Sequence, residues 1–358
     1  MKKIVLTGGG TAGHVTPNIA LLPALQAAGY EIAYVGSYEG IEKKLIADFN
    51  IPYTGISTGK FRRYLDPKNF SDPFRVMKGF VEARNYLKNY QPDVVFSKGG
   101  FVSVPVVRAA ASLHIPCIIH ESDMTPGLAN KLCIPVAEKV CCNFPETMKN
   151  IPADKAVLTG SPIRAELAEG SKLAGLNMCG FTANKPVIMV ISGSLGAANV
   201  NKAVRDALPK LLEDFQVVHL CGKDKIDNLL LNTPGYKQFE YIKAELKDIF
   251  AMADVVISRA GANAICELLA LKKPNILIPL PAASSRGDQL LNAASFEAQG
   301  YSIVLNEDDI TTNLLVDKVH ELYFNRQNYV DAMSKSHQMD AVKTIMELIN
   351  AAADKKTN

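Results

Sequence analysis

The first half of the chain alternates short apolar runs with amphipathic stretches of helical period. The apolar runs predict buried strands at residues 3–6, 31–35, 94–97, 117–120 and 139–142. Between them, helical periodicity predicts helices at residues 18–28, 39–48, 74–90 and 104–112. Strands that alternate with helices in this way are typical of βαβ units, so the pattern predicts a doubly wound parallel sheet.

A second series of the same kind follows a polar stretch, residues 165–185, that lacks a strong period. Strands are predicted at residues 187–192, 216–221, 254–258, 275–279 and 302–305, and helices at 198–213, 261–271, 289–299, 313–324, 328–336 and 341–352. The interruption predicts two domains, residues 1–164 and 165–340. Two Rossmann-like domains of this type are expected to face a cleft and to bind ligands at the carboxyl ends of their strands.

The composition fits an ordinary globular protein, with 48% hydrophobic and 21% charged residues among 358. The seven cysteines are scattered without a C-x-x-C pair, which indicates buried small side chains in a reducing compartment. The six histidines lack metal-ligand spacing, so no structural metal is expected. The first apolar run is too short for a signal peptide, and no run approaches the ~20 residues of a membrane span. A cytoplasmic protein is therefore expected.

The net charge of the chain is only +3, and this low value argues against nucleic acid as a partner. The charged residues are nevertheless unevenly distributed along the sequence. Residues 60–90 hold eight Lys/Arg against three acidic residues, together with many aromatic side chains. An apolar helical stripe with cations beside it is either core or a surface for anionic lipid. The candidate membrane patch comprises Phe61, Arg62, Arg63, Phe70, Phe74, Arg75, Met77 and Lys78.

Glycine-rich loops stand at three strand-to-helix junctions, residues 8–14, 99–103 and 192–197. Glycine allows close backbone approach, and the following helix N-terminus favours an anion. None of the three is a Walker loop or a dinucleotide fingerprint. Each alone is equally well explained as a tight turn, but three in one chain favour a phosphate-bearing ligand.

Polar side chains at other strand ends add further candidates. Arg259 precedes a glycine and a predicted helix, which indicates another anion site, and Glu267 lies within that helix. A carboxylate there suits a ribose diol, or is simply a favourable charge near a helix N-terminus. His120 and Glu121 end a strand, and they are either a functional pair or a satisfied buried pair.

Taken together, the motifs resemble one family. The segments "GGGTAGHVTPNIAL", "KGGFVSVP", "HESDMTPGLANKL", "GSPIR", "ISGSLGAANVN", "SRAGANAICEL" and "DQLLNA" occur in this order across nearly the whole chain. They are similar to those of the MurG family, bacterial UDP-N-acetylglucosamine transferases with the GT-B fold. The resemblance also implies that a C-terminal helix, residues 341–356, packs back on the N-terminal domain.

The resemblance implies an inverting transfer of N-acetylglucosamine (GlcNAc) from UDP-GlcNAc to lipid I, undecaprenyl-pyrophosphoryl-MurNAc-pentapeptide. The acceptor is the MurNAc C4 hydroxyl, and the products are lipid II and UDP. In such enzymes the backbone near the Ile242 position meets uracil, Glu267 holds the ribose, and Gln289 contacts GlcNAc. The implied donor-binding residues are Thr11, Ala12, Gly13, Asp123, Arg164, Ser194, Ile242, Ala262, Asn263, Ala264, Ile265, Cys266, Glu267 and Gln289.

Two positions depart from the family pattern. Ala12 replaces a glycine that many relatives have before Gly13 and His14, which tightens the first loop slightly. Asp123 stands where the family has asparagine, and a carboxylate accepts from a sugar hydroxyl but cannot donate as an amide does.

The chemistry of an inverting transfer needs a base for the acceptor hydroxyl and stabilisation of the leaving diphosphate. His14 is the candidate base or leaving-group donor, and Glu121 is the competing base. The chain has no Asp-x-Asp pair at a strand end, so neither an obligatory metal nor another cofactor is expected.

Because the acceptor is lipid-linked, we expect peripheral attachment to an anionic membrane surface at the cytoplasmic face. Other cell-wall synthesis and division proteins are candidate partners. Two alternatives share the architecture: a GT-B transferase acting on another lipid, and a UDP-GlcNAc 2-epimerase. The motif "HESDMTPGLANK" favours the MurG-like transferase over the first.

Overall fold

The computed structural model describes residues 1–59, 68–193, 196–282, 287–336 and 340–357. The chain divides into two compact units, Met1–Arg164 with Asp340–Asn358, and Ala165–Met339. Each unit is built on its own parallel sheet.

The N-terminal unit contains a seven-stranded sheet within its described residues, in the order β3-β2-β1-β4-β5-β6-β7. All neighbouring strands are parallel, with Lys3 opposite Glu31 at the start of the central pair. The strands are β1 Lys3–Thr7, β2 Glu31–Ser37, β3 Tyr53–Ile56, β4 Val94–Ser97, β5 Cys117–Glu121, β6 Lys139–Cys142 and β7 Ala156–Leu158. The five strands predicted in this half are confirmed, and β3 and β7 are added at the two edges.

Helices cover both faces of this sheet, as the apolar character of its central strands requires. The helices are α1 Thr16–Ala27, α2 Ile41–Ile46, α3 Lys68–Tyr90, α4 Ser103–Ser112, α5 Leu128–Cys133, α6 Pro145–Met148 and, from the end of the chain, α14 Ala341–Thr357. On one face α3 and α4 pack over Val5 and Val95. On the other face Ile345 and Ile349 of α14 are fully buried in the core that contains Ile4.

The C-terminal unit repeats the same strand order in a six-stranded sheet, β10-β9-β8-β11-β12-β13, within the part of the chain that is described. Its strands are β8 Val187–Ile191, β9 Gln216–Leu220, β10 Tyr236–Phe239, β11 Val255–Ser258, β12 Asn275–Leu277 and β13 Ser302–Val304. Its helices are α7 Lys172–Cys179, α8 Ala198–Asp214, α9 Leu246–Met252, α10 Ala262–Ala270, α11 Asp288–Ala298, α12 Thr312–Phe324 and α13 Arg326–Ser334. Both sheets therefore have the strand order of the Rossmann fold.

Some sequence-based expectations need correction in this unit. The stretch 165–185 has no strong period, yet it contains α7, which packs against α9. The strand β10 and the helix α9 were also not predicted. Packing against neighbouring elements stabilises these short segments. They can therefore form although the hydrophobic period of their own sequence is weak.

The seven cysteines lie where the sequence predicts them, in the core. All seven cysteines are buried and free, in agreement with their interpretation as small core side chains. Among the described residues no helix is both long and apolar enough to cross a bilayer. Within those same ranges, no three His, Cys, Asp or Glu side chains are grouped to hold a metal ion.

Candidate functional site

The first glycine loop joins β1 to α1 at the carboxyl edge of the N-terminal sheet. A short 3-10 turn, Ala12–His14, precedes α1. Gly100 of the second glycine loop has φ +83°, and a Cβ there would overlap the carbonyl oxygen of Gly9. Glycine is therefore required at residue 100 both for backbone conformation and for the close approach of the two loops.

His14 is partly buried at the end of the first loop. Its Nδ1 lies 2.9 Å from the Thr11 hydroxyl oxygen. Burial, and secondly the positive charge of Lys98, lower the pKa of His14 to about 4, whereas the negative charge of Glu42 opposes this shift. The ring is therefore neutral at pH 7 and can accept a proton.

Glu42 of α2 lies beneath the first glycine loop and is fully buried. Its Oε2 accepts from the backbone N–H of Gly10 at 3.2 Å, and its Oε1 accepts from the backbone N–H of Ser37 at 2.9 Å. A Cβ at Gly9 or Gly40 would overlap this carboxylate. Gly9 and Gly40 thus leave space for the buried carboxylate of Glu42. The sequence pattern does not predict this buried acid.

Lys98 follows β4 and is only 1% exposed. Its ammonium group contacts two side chains of the next strand end, the His120 Nδ1 at 2.8 Å and the Ser122 hydroxyl. The His120 Nε2 lies 2.9 Å from the Gly160 carbonyl oxygen. Because a carbonyl only accepts, Nε2 carries the hydrogen and Nδ1 accepts from Lys98. Burial, followed by the Lys98 charge, holds the pKa of His120 well below its usual range.

Glu121 ends β5 and is 3% exposed. Its carboxylate accepts from the backbone N–H of Asp123 at 2.9 Å, the backbone N–H of Gly127 at 3.0 Å and the Asn130 side-chain amide at 2.8 Å. These three donors make Glu121 the organiser of the loop that follows it, because all three belong to residues 123–130 and bind one carboxylate.

Two further predicted residues of the N-terminal unit are partly buried. The carbonyl oxygen of Asp123 accepts from the Thr147 hydroxyl at 3.2 Å, so its backbone is held on both sides. Arg164 is the last residue before the C-terminal unit. Both residues take part in further interactions within the structure.

In the C-terminal unit, the predicted donor-binding residues cluster where β11 leads into α10. Ala262, Asn263, Ala264 and Glu267 are partly exposed on this helix. Ile265 and Cys266 point into the core, at 0% and 5% exposure. The side chains of these two residues therefore stabilise the helix, whereas the other four are partly accessible to solvent.

Arg259, which precedes the predicted anion site at the start of α10, has an internal structural role. Its guanidinium forms a buried ion pair with Glu307 and donates to the carbonyl oxygens of Ile278 and Pro279 at 3.0 and 3.2 Å. The carboxylate of Glu307 also accepts from Asn199 at 2.6 Å. These contacts fix the strand end from which α10 begins.

The remaining predicted residues of this unit have different surroundings. Ile242 is 4% exposed, so its side chain belongs to the core. The Gln289 Oε1 accepts from the backbone N–H of Leu280 at 3.0 Å, which orients its amide at the start of α11. Ser194 lies outside the described residues.

The candidate membrane patch is described only from α3 onward. Phe61, Arg62 and Arg63 lie outside the described residues, as does the side chain of Phe70. Phe74 is 79% exposed, Met77 67% and Val81 51%. Arg75 and Lys78 are exposed on the same helix. These three apolar side chains are therefore on the surface and not in the core.

Comparisons with known proteins fit this architecture. Residues 4–142 match the glycosyltransferase family 28 N-terminal domain, and residues 187–349 match the family 28 C-terminal domain. The chain is 65% identical over 349 residues to the UDP-N-acetylglucosamine–N-acetylmuramyl-(pentapeptide) pyrophosphoryl-undecaprenol N-acetylglucosamine transferase of Lachnospira eligens, covering 98% of this chain and 99% of the relative.

Two solved structures share the fold of this chain. The crystal structure of Acinetobacter baumannii MurG superposes with a TM-score of 0.76 at 28% identity, covering 98% of this chain and all of the other. A putative UDP-N-acetylglucosamine 2-epimerase from Listeria monocytogenes has a TM-score of 0.71 over 99% of this chain and 98% of the other, but only 13% identity, so that likeness concerns the fold alone. The chain thus belongs to the family 28 glycosyltransferases of the GT-B fold, in the group of MurG transferases.

Proposed function

We propose that this chain transfers GlcNAc from UDP-GlcNAc to the C4 hydroxyl of MurNAc in lipid I, which yields lipid II and UDP. The observation that carries this proposal is the near-complete alignment with a transferase named for that reaction. The neutral His14 beside two glycine loops supports it, because the reaction needs a proton acceptor near a diphosphate.

His14 is assigned as the general base. The acceptor hydroxyl gives its proton to Nε2 of His14 while its oxygen bonds to C1 of GlcNAc. The bond from C1 to the UDP phosphate oxygen breaks, and its electron pair leaves with UDP. Nδ1–H of the ring then donates to the Thr11 hydroxyl, 2.9 Å away, and this bond orients Nε2 toward the acceptor.

Glu121 is the competing base, and its surroundings favour a supporting role. Three N–H groups from Asp123, Gly127 and Asn130 already bind its carboxylate. Proton transfer to Glu121 would weaken these hydrogen bonds, since each is stronger to the charged form. We therefore assign Glu121 to positioning the loop that would receive the acceptor.

The donor is assigned to the C-terminal unit, at the start of α10 and α11. The partly exposed Glu267 would accept from the ribose hydroxyls, and the backbone near Ile242 would meet uracil. Gln289 accepts from Leu280 through Oε1, which leaves its amide N–H groups to donate to GlcNAc hydroxyls. The N-terminus of α10 would stabilise the diphosphate.

A membrane attachment completes the proposal. Phe74, Met77 and Val81 form an exposed apolar stripe on α3, with Arg75 and Lys78 beside it. Apolar side chains ringed by cations bind anionic lipid surfaces. We propose that this stripe holds the enzyme at the cytoplasmic face, where it meets its lipid-linked acceptor.

The central experiment measures the transfer of labelled GlcNAc from UDP-GlcNAc to a lipid I analogue. Wild type should form labelled lipid II, and His14→Ala should lose at least ~100-fold in kcat. Near-normal turnover by His14→Ala would remove His14 from the mechanism. Incubation with UDP-GlcNAc alone should yield no UDP-N-acetylmannosamine, whereas an epimerase would form it without an acceptor.

A flotation assay with vesicles containing anionic phospholipid tests the attachment. The variant Phe74→Ser with Met77→Ser should float less than wild type, and charge reversal at Arg75 and Lys78 should weaken binding further at low salt. Leu173→Ser in α7, an exposed leucine of the other unit, is the matched control and should float like wild type. Equal flotation of all variants would contradict the attachment.

A further inference from the structure

The Tyr34 hydroxyl is a buried polar group that the proposed mechanism does not use. Tyr34 lies on β2 opposite Leu6 of β1, and its side chain is fully buried. Its ring stacks on that of Tyr53, with centroids 6.0 Å apart, and this packing fixes the direction of the hydroxyl. A hydroxyl is costly in a core unless it is hydrogen-bonded, so its partners indicate its role there.

Two hydrogen bonds connect this hydroxyl to both ends of the first glycine loop. It donates to the Gly8 carbonyl oxygen at 2.7 Å, where the chain leaves β1. It accepts from the side-chain amide of the fully buried Asn18 at 3.2 Å, where the chain has entered α1. The same amide also donates to the Thr7 carbonyl oxygen at 3.1 Å. Tyr34 and Asn18 therefore form a clamp that closes the loop between residues 8 and 18.

His14 lies within the loop that this clamp closes, four residues before Asn18. Its backbone carbonyl oxygen packs so closely on Gly8 that a Cβ at residue 8 would lie 2.4 Å from it. Its backbone N–H donates to the Thr11 carbonyl oxygen at 3.1 Å. The backbone of His14 is thus held between Gly8, which is bound by Tyr34, and the first turn of α1, which is bound through Asn18.

We propose that Tyr34 is a positioning residue for His14. Its hydroxyl and the Asn18 amide hold the end of β1 and the start of α1 together, and the segment between them places the His14 ring where Nε2 meets the acceptor hydroxyl. This inference rests on the proposed function, in which His14 is the base. A misplacement of ~1 Å at such a group slows the chemical step without weakening the binding of a substrate elsewhere.

The transfer assay compares Tyr34→Phe with wild type. This substitution keeps the ring and its stacking on Tyr53, but it removes the hydroxyl from between Gly8 and Asn18. We expect kcat to fall about tenfold, because the His14 ring is no longer held in one place. The KM for UDP-GlcNAc should stay within about twofold of the wild-type value, because the donor is assigned to the C-terminal unit.

Tyr30→Phe is the matched control. Tyr30 directly precedes β2, is 6% exposed, and donates from its hydroxyl to the Asn350 Oδ1 at 2.7 Å. The substitution therefore also removes one buried hydrogen bond from the N-terminal unit, and both variants should lower the urea midpoint of unfolding by a similar amount. Tyr30→Phe should nevertheless retain its kcat. An equal loss of kcat in both variants would overturn the proposal, since stability alone would then explain it.

Asn18→Ala removes the other half of the clamp and tests it independently of Tyr34→Phe. It should also lower kcat with little change in the KM for UDP-GlcNAc. In the double variant the two losses should not multiply, because both side chains act on the same loop. Losses of kcat that multiply in full would contradict a shared clamp.

A measurement without substrates separates this proposal from the proposed function. NMR on histidine-labelled enzyme observes the His14 ring, with its signals assigned by their loss in His14→Gln. These signals should shift or broaden in Tyr34→Phe and remain in place in Tyr30→Phe. Unchanged His14 signals in Tyr34→Phe would overturn the proposal. Failure of the wild type to use lipid I would instead contradict the proposed function, whereas shifted His14 signals would still show that Tyr34 positions the ring.

Discussion

The backbone N–H of Gly10 donates to the carboxylate of Glu42, 3.2 Å away and fully buried. The glycine-rich loop is therefore held by a buried acid on α2. The Gly10 N–H is thus used within the protein, and Glu42 fixes the conformation of the loop.

Glu42→Ala should destabilise the N-terminal unit by about 3 kcal/mol, because the N–H groups of Gly10 and Ser37 lose a charged acceptor inside the core. Glu42→Gln should cost less, since its amide oxygen still accepts. Urea unfolding measures the stability, and the transfer assay should show a matching loss of turnover. An unchanged unfolding midpoint in Glu42→Ala would contradict this role.

The ion pair between Arg259 and Glu307 should be required for donor binding. Glu307→Gln leaves the Arg259 guanidinium buried without its anionic partner, and we expect a loss of about 3 kcal/mol in stability. Since Arg259 fixes the strand end before α10, the KM for UDP-GlcNAc should rise more than kcat falls. Thermal unfolding and steady-state kinetics provide the measurements.

Lys318→Met offers a matched control for that experiment. Lys318 and Glu321 form a surface ion pair on α12, with side chains 34% and 46% exposed. Loss of this pair should cost less than about 0.5 kcal/mol and leave the KM for UDP-GlcNAc unchanged. If both substitutions had the same effect, burial of the Arg259 pair would not matter.

The sequence predicted the strands whose side chains are buried on both faces. Residues 187–191 of β8 are continuously apolar, and such a run is typical of a buried parallel strand in an α/β protein. The missed strands β3, β7 and β10 are short, lie at or near a sheet edge and include partly exposed side chains. An edge strand is defined by its neighbour and only weakly by its own sequence.

The site was predictable to the extent that its residues are adjacent in the chain. Glycines before a helix and polar residues after a strand carry a local signal. Glu42 and Lys98 have no comparable local signal, because their partners Gly10 and His120 are 32 and 22 residues away in the sequence. A lysine directly after a buried strand and before two glycines was the available clue.

Metal removal should not affect the transfer. The proposed mechanism stabilises the leaving diphosphate with helix N-termini and hydroxyl groups, and it routes no step through a divalent ion. Wild-type enzyme dialysed against EDTA should retain its turnover, and added Mg²⁺ should not raise kcat by more than about twofold. A loss of activity that Mg²⁺ restores would show that the donor diphosphate needs a cation.

His219 should make the C-terminal unit sensitive to acid. Burial, and then the Arg205 charge, lower the pKa of His219 to about 3. Its Nε2 is 3.0 Å from the Asn201 Oδ1, and its Nδ1 is 2.9 Å from the Tyr236 hydroxyl. Asn201 itself donates to the Cys221 carbonyl oxygen at 2.8 Å, so its Oδ1 accepts from a neutral His219.

The sign of the pH dependence follows from this depressed pKa. Above pH 6.5 the ring is neutral in both states, and its stabilising bonds are fully present; as the pH falls toward 3, the unfolded chain gains the proton first and stability is lost. Wild type should lose about 2 kcal/mol from this group between pH 7.5 and pH 5. His219→Gln, which does not titrate, should be less stable than wild type at pH 7.5, and the gap should narrow by that amount at pH 5 in urea unfolding. A gap that stays constant with pH would exclude His219 as the acid-sensitive group.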